Sequence, residues 1–235
     1  MKITSESVVL HTHLGLGDMF ICNGLVHRFA SEATPKTIYL VCKKKYLPTV
    51  QKLYENFPSI QVVPLGEGNE YKEVANLAID ANILRVGHES LNADLNFDES
   101  FYRQLGYDIG DKYKWAVIPR SEETEQECYD AVVTDSPYIF VHDRSSTGDN
   151  ELKIKSDLPT VKPNDMRFNL LDYLKVIENA EEIHCVNSSF LNMVDVFTQK
   201  KHMYFHKVQT GSGGGQYWPK LNPSWTIINY ETRTN

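Results

Sequence analysis

The sequence predicts an α/β protein built from two Rossmann-like lobes, with mainly parallel sheets facing a cleft. Three observations carry this. Apolar runs of strand length alternate with segments of helical spacing along the chain. Two of the runs lead directly into a tight turn and a helix, at Gly15-Leu16-Gly17 and at Asn187-Ser188-Ser189. A polar segment, 122–133, reads as a helix bridging two such halves. The expected division is an N-terminal lobe over 1–120, a C-terminal lobe over 121–209, and a tail over 210–235 that packs back toward the first lobe.

The elements follow in order. Val8-Val9-Leu10 is a buried strand, and Met19, Phe20, Leu25, Val26 and Phe29 then recur at helical spacing, with Asp18 placed to cap that helix. A strand at 37–42, a helix through Tyr54, a strand at 60–65 and a shorter one at 82–86 complete the first half. The second half opens with the strand 138–141 and a charged loop. Pro163-Asn164-Asp165 then starts a helix carrying Phe168, Leu171, Leu174 and Ile177. The strand 182–186, a helix with Leu191, Val194 and Phe197, and a strand at 202–205 follow. In the tail, the glycine run 211–215 is a flexible turn, and Tyr217, Trp218 and Trp225 anchor it.

Composition narrows the function. With 235 residues, 41% of them apolar and 23% charged, the chain can bury a sizeable core. A net charge of −7 argues against a general nucleic-acid binder, which gains affinity by neutralising phosphates. No apolar run reaches the length of a membrane span, and the first residues lack the apolar centre of a secretory signal. Cys22, Cys42, Cys128 and Cys185 are scattered, with no CxxC pair, so neither a zinc site nor a disulfide framework is expected. The cytoplasm is the simplest compartment.

Three segments can carry chemistry. In His13-Leu14-Gly15-Leu16-Gly17-Asp18, Gly15 and Gly17 let a ligand approach the backbone at a strand-to-helix turn. The third glycine of a dinucleotide fingerprint is replaced by Phe20, and Lys43 to Lys45 stand where an acidic ribose ligand would be, so the NAD pattern fails. Asp18 is either a helix cap or a carboxylate able to deprotonate a hydroxyl. His142-Asp143-Arg144 follows a strand directly, which suits an arginine for bidentate phosphate contact; the plainer reading pairs Arg144 with Asp143 or Asp149. Asn187-Ser188-Ser189 opens a helix whose free N–H groups and dipole favour an anion, and simple capping uses the same geometry.

Together the three segments resemble glycosyltransferases of the GT-B class. His142-Asp143-Arg144 resembles the His-x-Arg motif of the alpha-1,2- and alpha-1,6-fucosyltransferases, which use GDP-fucose. Val186-Asn187-Ser188-Ser189-Phe190 resembles the later serine-rich helix start of the alpha-1,2 enzymes. Leu14-Gly15-Leu16-Gly17-Asp18-Met19-Phe20 resembles their N-terminal turn and also the Leu-Gly-Asp turn of the lipopolysaccharide heptosyltransferases; Asp18 stands where the alpha-1,2 enzymes carry asparagine.

The resemblance implies an inverting, metal-independent transfer of a sugar, with fucose one candidate, from a nucleotide-sugar donor to a hydroxyl on a glycan or lipid-linked acceptor. It favours a GDP-sugar and implies no cofactor. It places His142, Arg144, Asn187, Ser188 and Ser189 at the donor phosphates, with Asp18 as general base and His13 or His11 as rivals. No Asp-x-Asp pair of the metal-dependent kind is found. Two alternatives stand beside it: a non-catalytic nucleotide- or sugar-binding protein of the same fold, and an NADP-linked α/β enzyme using Lys43 to Lys45.

Overall fold

The computed structural model describes residues 6–32, 37–87, 95–145, 148–200, 202–208 and 218–230. The glycine run 211–215 and Tyr217 lie outside them. The chain divides into two compact units, Met1–Pro119 and Arg120–Asn235.

The first unit contains β1 (Ser7–His11), α1 (Leu16–Ile21), α2 (Asn23–Glu32), β2 (Thr37–Lys43), α3 (Leu47–Tyr54), β3 (Ile60–Leu65), α4 (Glu70–Ala75), β4 (Asn82–Arg85), α5 (Phe97–Gln104) and α6 (Asp111–Lys114). Its four strands are parallel, in the order β3-β2-β1-β4. β1 is central, with Leu10 in register with Leu40 on one side and Leu84 on the other. A parallel strand covered on both faces is apolar without alternation, which is why Val8-Val9-Leu10 reads as an unbroken run.

The sequence reading assigns no element between 87 and 121, yet α5 and α6 pack against α1 and α2. The Tyr102 hydroxyl accepts from Leu25 N (3.0 Å) and donates to Ile21 O (2.8 Å). It occupies the place of the direct Leu25-to-Ile21 bond of a continuous helix, and the helix breaks there into α1 and α2. α6 packs so close to α2 that a Cβ on Gly24 would lie 2.6 Å from the Asp111 carbonyl oxygen. Lys112 and Asp98, both fully buried, pair at 3.1 Å. Apolar periodicity cannot announce a segment held by a buried ion pair and an inserted hydroxyl.

The second unit contains α7 (Glu122–Val132), β5 (Ile139–His142), β6 (Arg144–Ser145), β7 (Gly148–Asp149), β8 (Thr160–Val161), α8 (Leu174–Asn179), β9 (Glu182–Cys185), α9 (Ser189–Phe197), β10 (Met203–Lys207) and β11 (Trp225–Asn229). Its main sheet is also parallel, in the order β11-β10-β9-β5-β8, and β6 and β7 form a small antiparallel hairpin. The observed architecture is thus α/β with two parallel sheets.

Two expectations are corrected here. The helix expected to start at Pro163 begins later, as a 3-10 turn over Leu170–Tyr173 that runs into α8. Asn169 sets the start: its side chain accepts from Leu171 N (3.2 Å), while the Asp172 carboxylate reaches back to Asn169 N (2.7 Å). The tail, expected to return to the first lobe, instead supplies β11, an edge strand of the second unit's own sheet. Asn222 and Trp225 fix it there. Asp195 Oδ1 on α9 accepts from Asn222 N (2.8 Å), Asn222 Nδ2 (3.0 Å) and Trp225 Nε1 (3.0 Å).

All four cysteines are free and buried. Among the described residues no helix is long and apolar enough to cross a membrane.

Candidate functional site

In the first unit the candidate residues gather at the C-terminal end of β1. Gly15 is the N-cap of α1, Gly17 lies in its first turn, and Asp18 is the third helical residue. Asp18 therefore caps from inside the helix and not from the cap position itself, as the sequence suggested. Its Oδ2 accepts the Gly15 N–H at 3.1 Å. A Cβ on Gly15 would stand 2.7 Å from that oxygen, so a larger residue here would make the Asp18 carboxylate shift. Burial pushes the Asp18 carboxyl up to about 6, against the lowering by the Gly15 bond and by the charge of Lys43.

His13 is held differently. Its Nε2 donates to Gly87 O at 2.6 Å, since a carbonyl can only accept, and its ring lies 5.1 Å from that of Phe101. Burial holds its pKa below the ordinary imidazole value, so the ring is neutral near pH 7. Gly87 has φ +83°, and a Cβ there would meet the Phe101 ring at 2.4 Å. The Gly87 N–H donates to Gln104 Oε1 at 2.6 Å. Gly87 and Gln104 are positioning residues that the sequence reading missed. The one available signal was a glycine directly after the strand residue Val86.

In the second unit the structure joins His142 and Ser188. His142 ends β5 and is in register with Cys185, the last residue of β9. The two strands finish side by side, and the chain after β9 turns at Asn187 into α9. Ser188 caps that helix, its Oγ accepting from Leu191 N at 3.3 Å. The same hydroxyl lies 2.9 Å from His142 Nδ1. Burial lowers the His142 pKa to about 4, aided by the charge of Arg144 and opposed by that of Asp143. The imidazole is neutral, so the Ser188 O–H can donate to Nδ1 and leave Nε2 as the N–H side. Phe190 packs under the ring at 4.5 Å between centroids. Ser189 is the first residue of α9, and Asn187 is exposed at the turn.

Arg144 stands outside this pair. It lies on the β6/β7 hairpin, opposite Asp149 in the ladder, and pairs with that carboxylate at 3.5 Å. The two side chains are 76% and 81% exposed. Arg144 is paired with Asp149, the plainer of the two readings that the sequence allowed, and its charge reaches His142 of the His142–Ser188 junction. The reason is local: antiparallel register puts Arg144 across from an acid.

No protein-family model and no curated protein matches the sequence. Solved structures do resemble it. A glycosyl transferase family 9 protein from Veillonella parvula DSM 2008 is 13% identical, with a TM-score of 0.60 over 98% of this chain and 90% of that one. The iron-containing dodecameric glycosyltransferase TibC from enterotoxigenic E. coli H10407 is 13% identical, with a TM-score of 0.50 over 92% of this chain and 65% of that one. E. coli heptosyltransferase WaaC, solved with ADP, is 8% identical, with a TM-score of 0.50 over 96% of this chain and 93% of that one. At such identities the likeness is one of fold, and the fold is that of these glycosyltransferases.

Proposed function

We propose that the protein is a glycosyltransferase that moves a sugar from a nucleoside-diphosphate donor to an acceptor hydroxyl. One observation carries the reading: the His142–Ser188 hydrogen bond at the start of α9, where two strand ends and a nine-residue helix meet. A helix start with free N–H groups, a serine cap and a neutral imidazole offers donors, not charge, to a diphosphate. Arg144 adds charge when it leaves Asp149, an exchange that costs little because an exposed pair is worth about 0–1 kcal/mol. The shared fold of the family 9 protein, TibC and WaaC supports the same reading.

In the proposed reaction the acceptor oxygen bonds to the anomeric carbon as the bond from that carbon to the diphosphate oxygen breaks. The acceptor proton passes to Asp18, and the nucleoside diphosphate leaves with the electron pair. Asp18, titrating at about 6, is ionised at pH 7 and yet basic enough to serve. A direct displacement of this kind inverts the anomeric centre. Protein donors stabilise the leaving group without a metal ion, and EDTA should leave turnover unchanged. The motif resemblance favours GDP and fucose, whereas WaaC was solved with ADP.

Titration with ADP, GDP and UDP, followed by a panel of their sugars, tests the reading. Ser188→Ala and His142→Ala should each weaken nucleoside-diphosphate binding about tenfold. Arg144→Ala should weaken it by about 1.5–3 kcal/mol. If no nucleoside diphosphate or nucleotide sugar binds, or if the Ser188 and His142 variants bind like the parent, the reading fails.

A further inference from the structure

The C-terminal edge of the first sheet carries one feature that the proposed reaction does not use. Arg85 is the last residue of β4 and lies in register with His11 of β1. Its guanidinium sits over the Tyr71 ring, 5.5 Å from the centroid, and the same ring meets His11 edge-on at 5.3 Å. Tyr71, on α4, is 53% exposed.

Two of the lysines at the end of β2 are paired with carboxylates. Lys43 pairs with Glu70 at 3.5 Å and Lys45 with Glu67 at 2.6 Å. Arg85 pairs with no carboxylate among the described residues, and its Nε is buried with no hydrogen-bond partner. An arginine that pairs with no carboxylate keeps its terminal N–H groups for an anion. Asp18 feels the charge of Lys43, and Lys43 in turn reaches Glu70, the neighbour of Tyr71. The arginine and the exposed ring thus share a strand-end surface with the proposed base.

We infer that Arg85 and Tyr71 form an acceptor-recognition site for a sugar bearing an anionic group, a carboxylate or a phosphate. This rests on the glycosyltransferase reading and adds the charge class of the acceptor to it. The Arg85 fork pairs bidentately with the anion while its face stays on Tyr71, an arrangement that lysine cannot reproduce. The exposed part of the Tyr71 ring offers an apolar face to the sugar ring.

Saturation-transfer NMR with glucose, glucuronate and glucose 6-phosphate tests the site on the intact protein, on Arg85→Met and on Arg85→Lys. The two anionic sugars should bind the parent, and glucose should not. The carboxylate and phosphate arms decide which anion is preferred. Arg85→Met should weaken the better anionic sugar about tenfold or more, Arg85→Lys should recover little of it, and ADP and GDP binding should be unchanged in both. Thermal melting confirms that each variant is folded, and Tyr71→Ala gives an independent second variant if one is not. Equal binding of glucose, absence of binding by either anionic sugar, or undiminished anionic binding in a folded Arg85→Met would overturn the inference. Loss of nucleotide binding by the parent would instead sink the donor reading, so the two failures are distinguishable.

Discussion

At the scale of the residue, Asp18 decides most. It does two jobs that pull its proton affinity in opposite directions: it accepts the Gly15 N–H, which favours the charged form, and it sits buried, which favours the neutral one. Burial wins, and the folded value of about 6 lies above the ordinary 3.8. The folded protein then holds a proton that the unfolded chain has released. Stability from this group is fully present below pH 3.8 and declines as pH rises to about 6. Asp18→Asn keeps the shape and the acceptor for Gly15 but removes the charge. It should therefore raise stability at pH 7.5 by about 1–3 kcal/mol and leave it nearly unchanged at pH 4, as urea midpoints at the two pH values would show. If Asp18 is the base, the same variant should bind nucleotide normally and lose turnover by a factor on the order of 10²–10⁴. The parent's activity should rise with pH through about 6. A stable variant that turns over at the parent's rate would leave Asp18 a cap and nothing more. Type and spacing made Asp18 visible in the sequence; its place inside the helix was not, because glycine, though a weaker N-cap than aspartate, takes the cap position here.

At the scale of the element, strand ends govern what meets. The runs of β1 and β5 were legible because parallel strands buried on both faces are apolar throughout. The two turns that follow β1 and β9 were legible for their glycine and serine content. What the sequence could not give was the lateral pairing. That His142 lies beside Cys185, and so reaches Ser188, follows from β5 and β9 being neighbours in the sheet, a contact 46 residues apart in sequence. Arg144 shows the same limit: a two-residue ladder places it opposite Asp149, one of the two acids the sequence offered as its partner, with Gly148 at φ +124° in the facing strand. The rung that holds His13 is open to test. Gly87→Ala must place a Cβ inside the Phe101 ring and also adopt a left-handed backbone. It should cost more than about 2 kcal/mol by thermal melting, from strain and overpacking together. A variant with the parent's melting temperature would mean that the loop relaxes freely and that Gly87 does not fix the imidazole.

At the scale of the whole molecule, the C-terminal segment belongs to a sheet that starts more than eighty residues earlier, with β5. Sequence reading ended the second lobe at 209, took the glycine run as a flexible turn and Trp225 as an anchor, and assigned no strand to 225–229. Pairing supplies what pattern does not. β11 matches β10 over five residues, from Met203 with Trp225 to Lys207 with Asn229. Beyond the strand, the Tyr230 hydroxyl lies 2.8 Å from His206 Nδ1, and His206 Nε2 lies 2.9 Å from His184 Nδ1. His184 Nε2 completes the chain at 2.9 Å from the Glu182 carboxylate. With every ring neutral, each hydrogen can point toward Glu182, so the chain is satisfied only while Tyr230 is in place. Ending the protein after Gln209 would strip three donors from the buried Asp195 carboxylate, remove the partner of His206 and open the β10 edge. Each unsatisfied buried group costs about 1–3 kcal/mol, more for a charged one, which together is a large share of a domain's stability. The truncated protein should lose the cooperative transition of the second unit while the first unit, whose sheet is complete without the tail, keeps its own; near- and far-ultraviolet circular dichroism on heating would follow both. Asp195→Ala in the full chain separates the causes, because it removes the acceptor and keeps β11. If the shortened chain melts like the full one, the tail is an appendage and the boundary belongs at 209 after all.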